Sequence, residues 1–308
     1  MTPTSPAIGA PRSKHTGEAL PGSAFWREAF TVRGTATGRV MARTLVFALV
    51  AVLTSYLLRW APGLRVSATV MEVSGLVLGL LLVFRTAAGY DRWWEARGLW
   101  GSILNQSRNL AVMALAYGPA DPGWRSEVVR WIAAFGHAAR ATLQDTRALP
   151  EIVRLLGGDE AARIAAAQHM PSYVVGRIAA VLRRARDSAA LDPFVFLQME
   201  RQRAALLDHI GACERILGTP IPFIYSVAIR RFVVIYLCAS QFALAGPAVL
   251  TSAAYAIMLA YPILTLEQIG AELQNPFVTR SLSHIDLARL CQTLENNVLA
   301  LEPQRHEP

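Results

Sequence analysis

The chain has 308 residues, 53% of them hydrophobic and only 17% charged, with a mean hydropathy of +0.33. A soluble domain averages roughly 25% charged residues, so this composition excludes a wholly soluble protein and is too polar for one lying entirely within a bilayer. The formal charge of +8 is almost all arginine, since Lys14 is the only lysine; the arginines are scattered among apolar residues instead of forming one patch, which argues against nucleic acid as a partner.

Residues 1–24 are rich in Pro, Gly, Ser and Thr and lack the apolar core of a signal peptide, so they read as a disordered N-terminal tail. The first apolar segment, Thr44–Leu58, is preceded by Arg39 and Arg43 and followed by Arg59-Trp60. The second, Ala68–Phe84, is interrupted by Glu72 and runs into a charged stretch with two adjacent tryptophans, Trp93 and Trp94. A third and a fourth follow late in the chain, Phe232–Leu250 and Thr251–Leu266, with Gly246-Pro247 near their junction. Each falls a little below the roughly 20 apolar residues of a lipid-exposed span. Arginine and tryptophan collect at their borders, where an apolar body and a polar tip suit the membrane surface. Four spans are therefore expected, short enough to pack on one another with little tilt.

Between the second and third spans, Trp100–Tyr117, Trp124–Leu143, His169–Arg186 and Phe196–Leu217 repeat apolar residues every three or four positions, the helical period. Pro150, Gly157-Gly158, Pro171 and Asp192-Pro193 punctuate them. No convincing strand alternation appears. The expected fold is all-α: a four-span helical membrane protein with a continuous cytoplasmic helical bundle. Its parts are the N-terminal segment with spans one and two (25–84), a cytoplasmic helical region (85–231), spans three and four (232–266) and a C-terminal cytoplasmic segment (267–308). Six basic residues precede the first span (Arg12, Lys14, Arg27, Arg33, Arg39, Arg43), whereas the short loop after it holds Arg59 and Arg65. The positive-inside rule then places both termini in the cytoplasm of a multi-pass cell-membrane protein.

Signals for enzymatic chemistry are weak. The histidines show no HExxH spacing, and no phosphate loop, dinucleotide fingerprint or nucleophile elbow is present. Asp208-His209 and Glu200 share one amphipathic helix and read as a solvated face. Cys213, Cys238 and Cys291 are too far apart for a metal cluster or a disulfide framework. No catalytic residue, cofactor or metal is expected.

Three stretches carry a family resemblance: Phe84–Arg97, which includes Arg92-Trp93-Trp94-Glu95; Cys213–Arg231, which includes Pro220-Ile221-Pro222-Phe223; and Glu272–Phe277, which includes Asn275-Pro276-Phe277. In this order they resemble the bestrophins, most closely the bacterial branch, over roughly residues 25 to 300. The resemblance implies a homopentameric channel for small monovalent ions, embedded in membrane lipids, with a pore lined by the second span. Its narrow neck would be formed by three apolar residues sixteen, twelve and eight positions before Arg92, namely Leu76, Leu80 and Phe84. Residues four apart share a helix face, so these three make one stripe. Read alone, such a stripe is ordinary helix-packing core; the resemblance makes it pore lining, able to gate by dewetting.

Gly75 and Gly79 lie beside the stripe and would admit a close neighbouring helix. Glu72 extends the stripe one turn outward. It would either form a ring of carboxylates at the outer pore mouth or pair locally with Arg65. The family also has a cytosolic aperture some thirty residues before the Pro-Ile-Pro motif, which points to Phe194. Pro220 and Pro222 would hold a kinked approach to the third span. The acidic cluster that binds calcium in animal bestrophins is replaced here by Val278–Ser283, so calcium gating of that type is not expected, and Asp286 and Glu295 are expected in ordinary surface or interface pairs. The family is best known for chloride, its bacterial branch includes cation-selective members, and Glu72 favours cations. Outside channel function, the reading that remains is a non-conducting membrane scaffold or sensor acting through its helical middle. The arginine excess would serve ion attraction, lipid headgroups or subunit interfaces.

Overall fold

The computed structural model describes residues 25–26, 29–31, 35–246 and 248–302, so the N-terminal tail and Pro247 lie outside the described residues. The first long helix, α1 (Thr37–Trp60), ends in a short 3-10 turn at Pro62–Leu64. Then comes α2 (Ala68–Tyr117), whose 50 residues rise about 75 Å, more than twice the roughly 30 Å of bilayer hydrocarbon. The expected second span, Ala68–Phe84, and the periodic segment that starts at Trp100 are parts of this one helix. Nothing between those positions stops a helix: there is no proline, and Gly89 and Gly98 are isolated. The change of composition at Arg85 marks a change of surroundings, not of backbone.

One buried stripe, Leu78, Leu82, Arg85, Gly89, Ala96, Trp100, Ile103, Ser107, Leu110 and Ala114, runs down α2 at the helical period. Its upper part packs on α8 (Phe223–Leu244) and α9 (Val249–Glu272). Its lower part packs on α3 (Pro122–Leu143), α7 (Pro193–Gly218) and α10 (Leu287–Leu299). The short helices α4 (Pro150–Leu156) and α5 (Gly158–Ala166), and then α6 (Met170–Asp187), complete the lower bundle. Of these, α4, α5 and α10 had no counterpart among the expected helices. Two of them are under ten residues, too short to show a clear period.

The helix starts follow local chemistry. Asp121 accepts from the N–H groups of Gly123 and Trp124, and Asp192 from those of Phe194 and Val195, each with a proline at the next position. Asp286, exposed at the surface, caps α10 through the Arg289 N–H at 3.0 Å. At the centre of the bundle, α3 is buried on all sides from Trp131 to Ala139, and Trp100, Phe135 and Phe277 are fully enclosed. Burying side chains of that size is worth roughly 1.5–3 kcal/mol each. Burial pushes the Cys213 and Cys291 thiols up to about 12, so both stay protonated and unreactive.

The apolar half is built differently. The buried positions of α1 include Thr44, Ala48, Ala51 and Ser55, those of α9 Ser252, Ala256 and Ala260, and these two helices pack most extensively. Small residues four apart let helix backbones approach closely where no hydrophobic effect drives them together. Four helices here are long and apolar enough to cross a membrane: α1, α2, α8 and α9.

Candidate pore surface and charged girdle

The apolar face expected to line a pore is uncovered. Leu76, Leu80 and Phe84 are 77%, 54% and 57% exposed, on the side of α2 opposite Leu78 and Leu82. The apolar part of α2 is the most apolar of the four spans, yet only 11% of it is buried within the chain, against 39% for α1. Glu72 is exposed and makes no ion pair with Arg65 or another described cation, which removes the local pairing. Gly75 does admit a neighbour: a Cβ there would lie 2.6 Å from the Tyr236 hydroxyl of α8. Gly79 meets no neighbour within its own chain, where a Cβ would find open space.

The motif residues hold the two halves together. Arg92 donates to the carbonyls of Thr219 (2.8 Å), Ile216 and Gln274 (3.3 Å), so it satisfies the open end of α7 and fastens α2 to the segment after α9. Trp93 donates its indole N–H to Ser283 at 2.7 Å. Trp94 stays exposed and stacks on Tyr90, and Glu95 meets Arg215 at 3.3 Å. Pro222 stands immediately before α8, and its carbonyl accepts from Tyr225 and Ser226; Pro220 is exposed in the short turn from α7. Asn275 accepts the Phe277 N–H at 3.2 Å and turns the chain so that Phe277 enters the bundle core. Phe194 is 80% exposed on the first turn of α7. Glu295, expected at a surface, is instead 2% exposed, between His137 (2.8 Å) and Arg154 (2.7 Å). Desolvation by burial holds the His137 imidazole below its ordinary 6.5, against the pull of Glu295.

A second arrangement escaped the sequence reading. The apolar parts of α1, α2, α8 and α9 each carry a charge at the same end, and these charges meet. Glu267 of α9 accepts from Arg230 Nε of α8 at 2.9 Å and lies 3.2 Å from Arg85 of α2 and 3.8 Å from Arg43 of α1. Arg85 is 1% exposed, and its guanidinium nitrogens find no aligned hydrogen-bond acceptor. A turn further along, Glu272 takes Arg39 at 2.8 Å and the Leu282 N–H at 3.0 Å, folding the post-α9 segment back. The signals in the sequence were charges at the borders of apolar segments: Arg43 before the first, Arg85 after the second and Glu267 after the fourth. Among the described residues no group of His, Cys, Asp or Glu could hold a metal ion.

This architecture defines an α-helical membrane protein whose pore-facing candidate helix continues unbroken into a helical bundle. The sequence profile of the family described as bacterial/fungal bestrophin protein matches residues 19–300, and the chain belongs to that family. A voltage-dependent anion channel-forming protein of Ralstonia nicotianae is 30% identical over 260 residues, covering 83% of this chain and 85% of that protein. One of the same description from Escherichia coli K12 is 25% identical, covering 92% and 93%. A crystal structure of a bacterial bestrophin homologue from Klebsiella pneumoniae, solved as a point variant, superposes with a TM-score of 0.80 at 25% identity, covering 86% of this chain and all of that one.

Proposed function

We propose that this chain is one subunit of a homopentameric ion channel in the cell membrane, passing small monovalent ions along an axis lined by α2. Its neck is the stripe Leu76, Leu80 and Phe84, its outer mouth carries Glu72, and Phe194 rings a second aperture on the bundle side. The termini lie in the cytoplasm. The observation that carries this reading is that the most apolar span is the one least covered by its own chain, with three large side chains exposed in one stripe. Five copies around an axis give that stripe a place: a narrow, dry constriction that opens by wetting. The names of the relatives favour anions; an exposed Glu72 ring would favour cations.

The test is single-channel recording of purified protein in planar bilayers under a potassium chloride gradient. Leu80→Ala is expected to raise conductance or the open fraction while the subunit stays folded. Unchanged currents in Leu80→Ala and Phe84→Ala would sink the neck assignment, and absence of current in every preparation would leave the scaffold reading. A reversal potential at the chloride equilibrium makes the pore anion-selective; one at the potassium equilibrium moves selectivity to Glu72.

A further inference from the structure

Three arginines converge on Glu267, and one carboxylate neutralises one of them. Arg85 is enclosed, while Arg43 and Arg230, with side chains 54% and 57% exposed, flank a cleft of about 400 Å³ between α1, α8 and α9. Glu267 sits at the cleft floor, its carboxylate already engaged by Arg230 and Arg85. The walls are apolar: Val46 and Phe47 from α1, Val234 from α8. A site with guanidinium donors at its rim and hydrocarbon walls selects a molecule built the same way. Guanidinium forks match phosphate oxygens, and basic pockets between membrane helices take anionic headgroups.

We propose that this cleft binds one anionic phospholipid per subunit, its phosphate between Arg43 and Arg230 and an acyl chain against Val46, Phe47 and Val234. A free phosphate would gain nothing from the apolar walls. The bound anion supplies the counter-charge that Glu267 alone cannot, and so ties the lipid to the level at which four helices cross the membrane surface.

Native mass spectrometry of the detergent-solubilised full-length protein tests this, titrated with dioleoyl phosphatidylglycerol and dioleoyl phosphatidylcholine, which differ only in the headgroup. The glycerol lipid is expected to be retained, one per subunit, at about tenfold lower concentration. Arg43→Gln with Arg230→Gln should erase that preference, whereas Arg231→Gln, at an exposed neighbouring position, should keep it. Val46→Trp alters no charge but fills the cleft, and should weaken retention of both lipids even if the double variant fails to fold. Equal retention of the two lipids by the native protein would overturn the proposal, as would retention of both lipids left unchanged by Val46→Trp. Displacement of the lipid by millimolar inorganic phosphate would also overturn it and give the site to a soluble anion. So would a preference that disappears only when the number of subunits changes, which would give the face to a second copy.

Discussion

The two halves of this molecule solve burial in opposite ways. The bundle closes on itself: α3 is surrounded, aromatic side chains such as Trp100 and Phe135 are enclosed, and buried polar groups such as Glu295 have partners within the same chain. The apolar half leaves many large side chains outward, on α2 most of all, and packs α1 on α9 largely through small residues. In water that distribution would be inside out. It is stable where the surroundings are hydrocarbon or further copies of the chain, because lipid tails cost an exposed leucine nothing and only close helix contact adds attraction. One helix, α2, serves both regimes, and the ring of charge at Arg85 and Glu267 marks where one gives way to the other.

The sharpest way to break this comparison is at that border. Glu267→Gln removes the carboxylate facing Arg85 and leaves a buried guanidinium without a counter-charge, a loss of roughly 3–5 kcal/mol. Thermal unfolding in detergent should show a large drop; an unchanged midpoint would mean that Arg85 is solvated and the border is not a buried one. Next, one substitution made in each half separates them. Leu182→Ala, fully buried in the bundle, is expected to cost about 2–5 kcal/mol. Leu76→Ala, 77% exposed, is expected to stay within about 0.5 kcal/mol. Comparable losses would place Leu76 in packed core and remove it from the pore surface.

A further effect is a pH dependence confined to the bundle. Because the folded His137 pKa lies below its ordinary 6.5, the unfolded chain binds the proton more readily. Its contribution is full above that value and is lost as pH falls through 6.5 toward the depressed folded pKa, at up to about 1.4 kcal/mol per pH unit. Glu295, Glu151 and Arg140 also act on this imidazole. Replacing it by glutamine should flatten the slope between pH 7 and 5.5, measured as the unfolding midpoint in citrate–phosphate buffers. An unaltered slope would assign the dependence to those carboxylates.

Much of the fold was legible because its strongest signals are local. Apolar segments bordered by arginine announce spans, three- and four-residue spacing announces helices, and Asp-Pro pairs announce where they start. Leu76, Leu80 and Phe84 could be placed on one face by counting. What failed were inferences across a boundary of composition. The charged residues after Phe84 mark the end of the span but do not say whether the helix ends with it; an α-helix satisfies its own backbone and can pass from oil to water unbroken. Glu295 read as a surface residue because nothing in sequence joins it to His137 and Arg154, 158 and 141 positions away.

The sequence by itself determined the class of the protein: four membrane-crossing helices, a helical bundle, the bestrophin motifs and the register of the α2 stripe. All of these follow from which residues neighbour one another along the chain. Only the tertiary structure decided that Arg92 fastens the end of α7, that Phe277 plugs the bundle, and that Arg43, Arg85, Arg230 and Glu267 form one cluster. Each of these joins residues from distant elements. Periodicity along one helix says which face is apolar; it carries no information about which charge on another helix that face will meet.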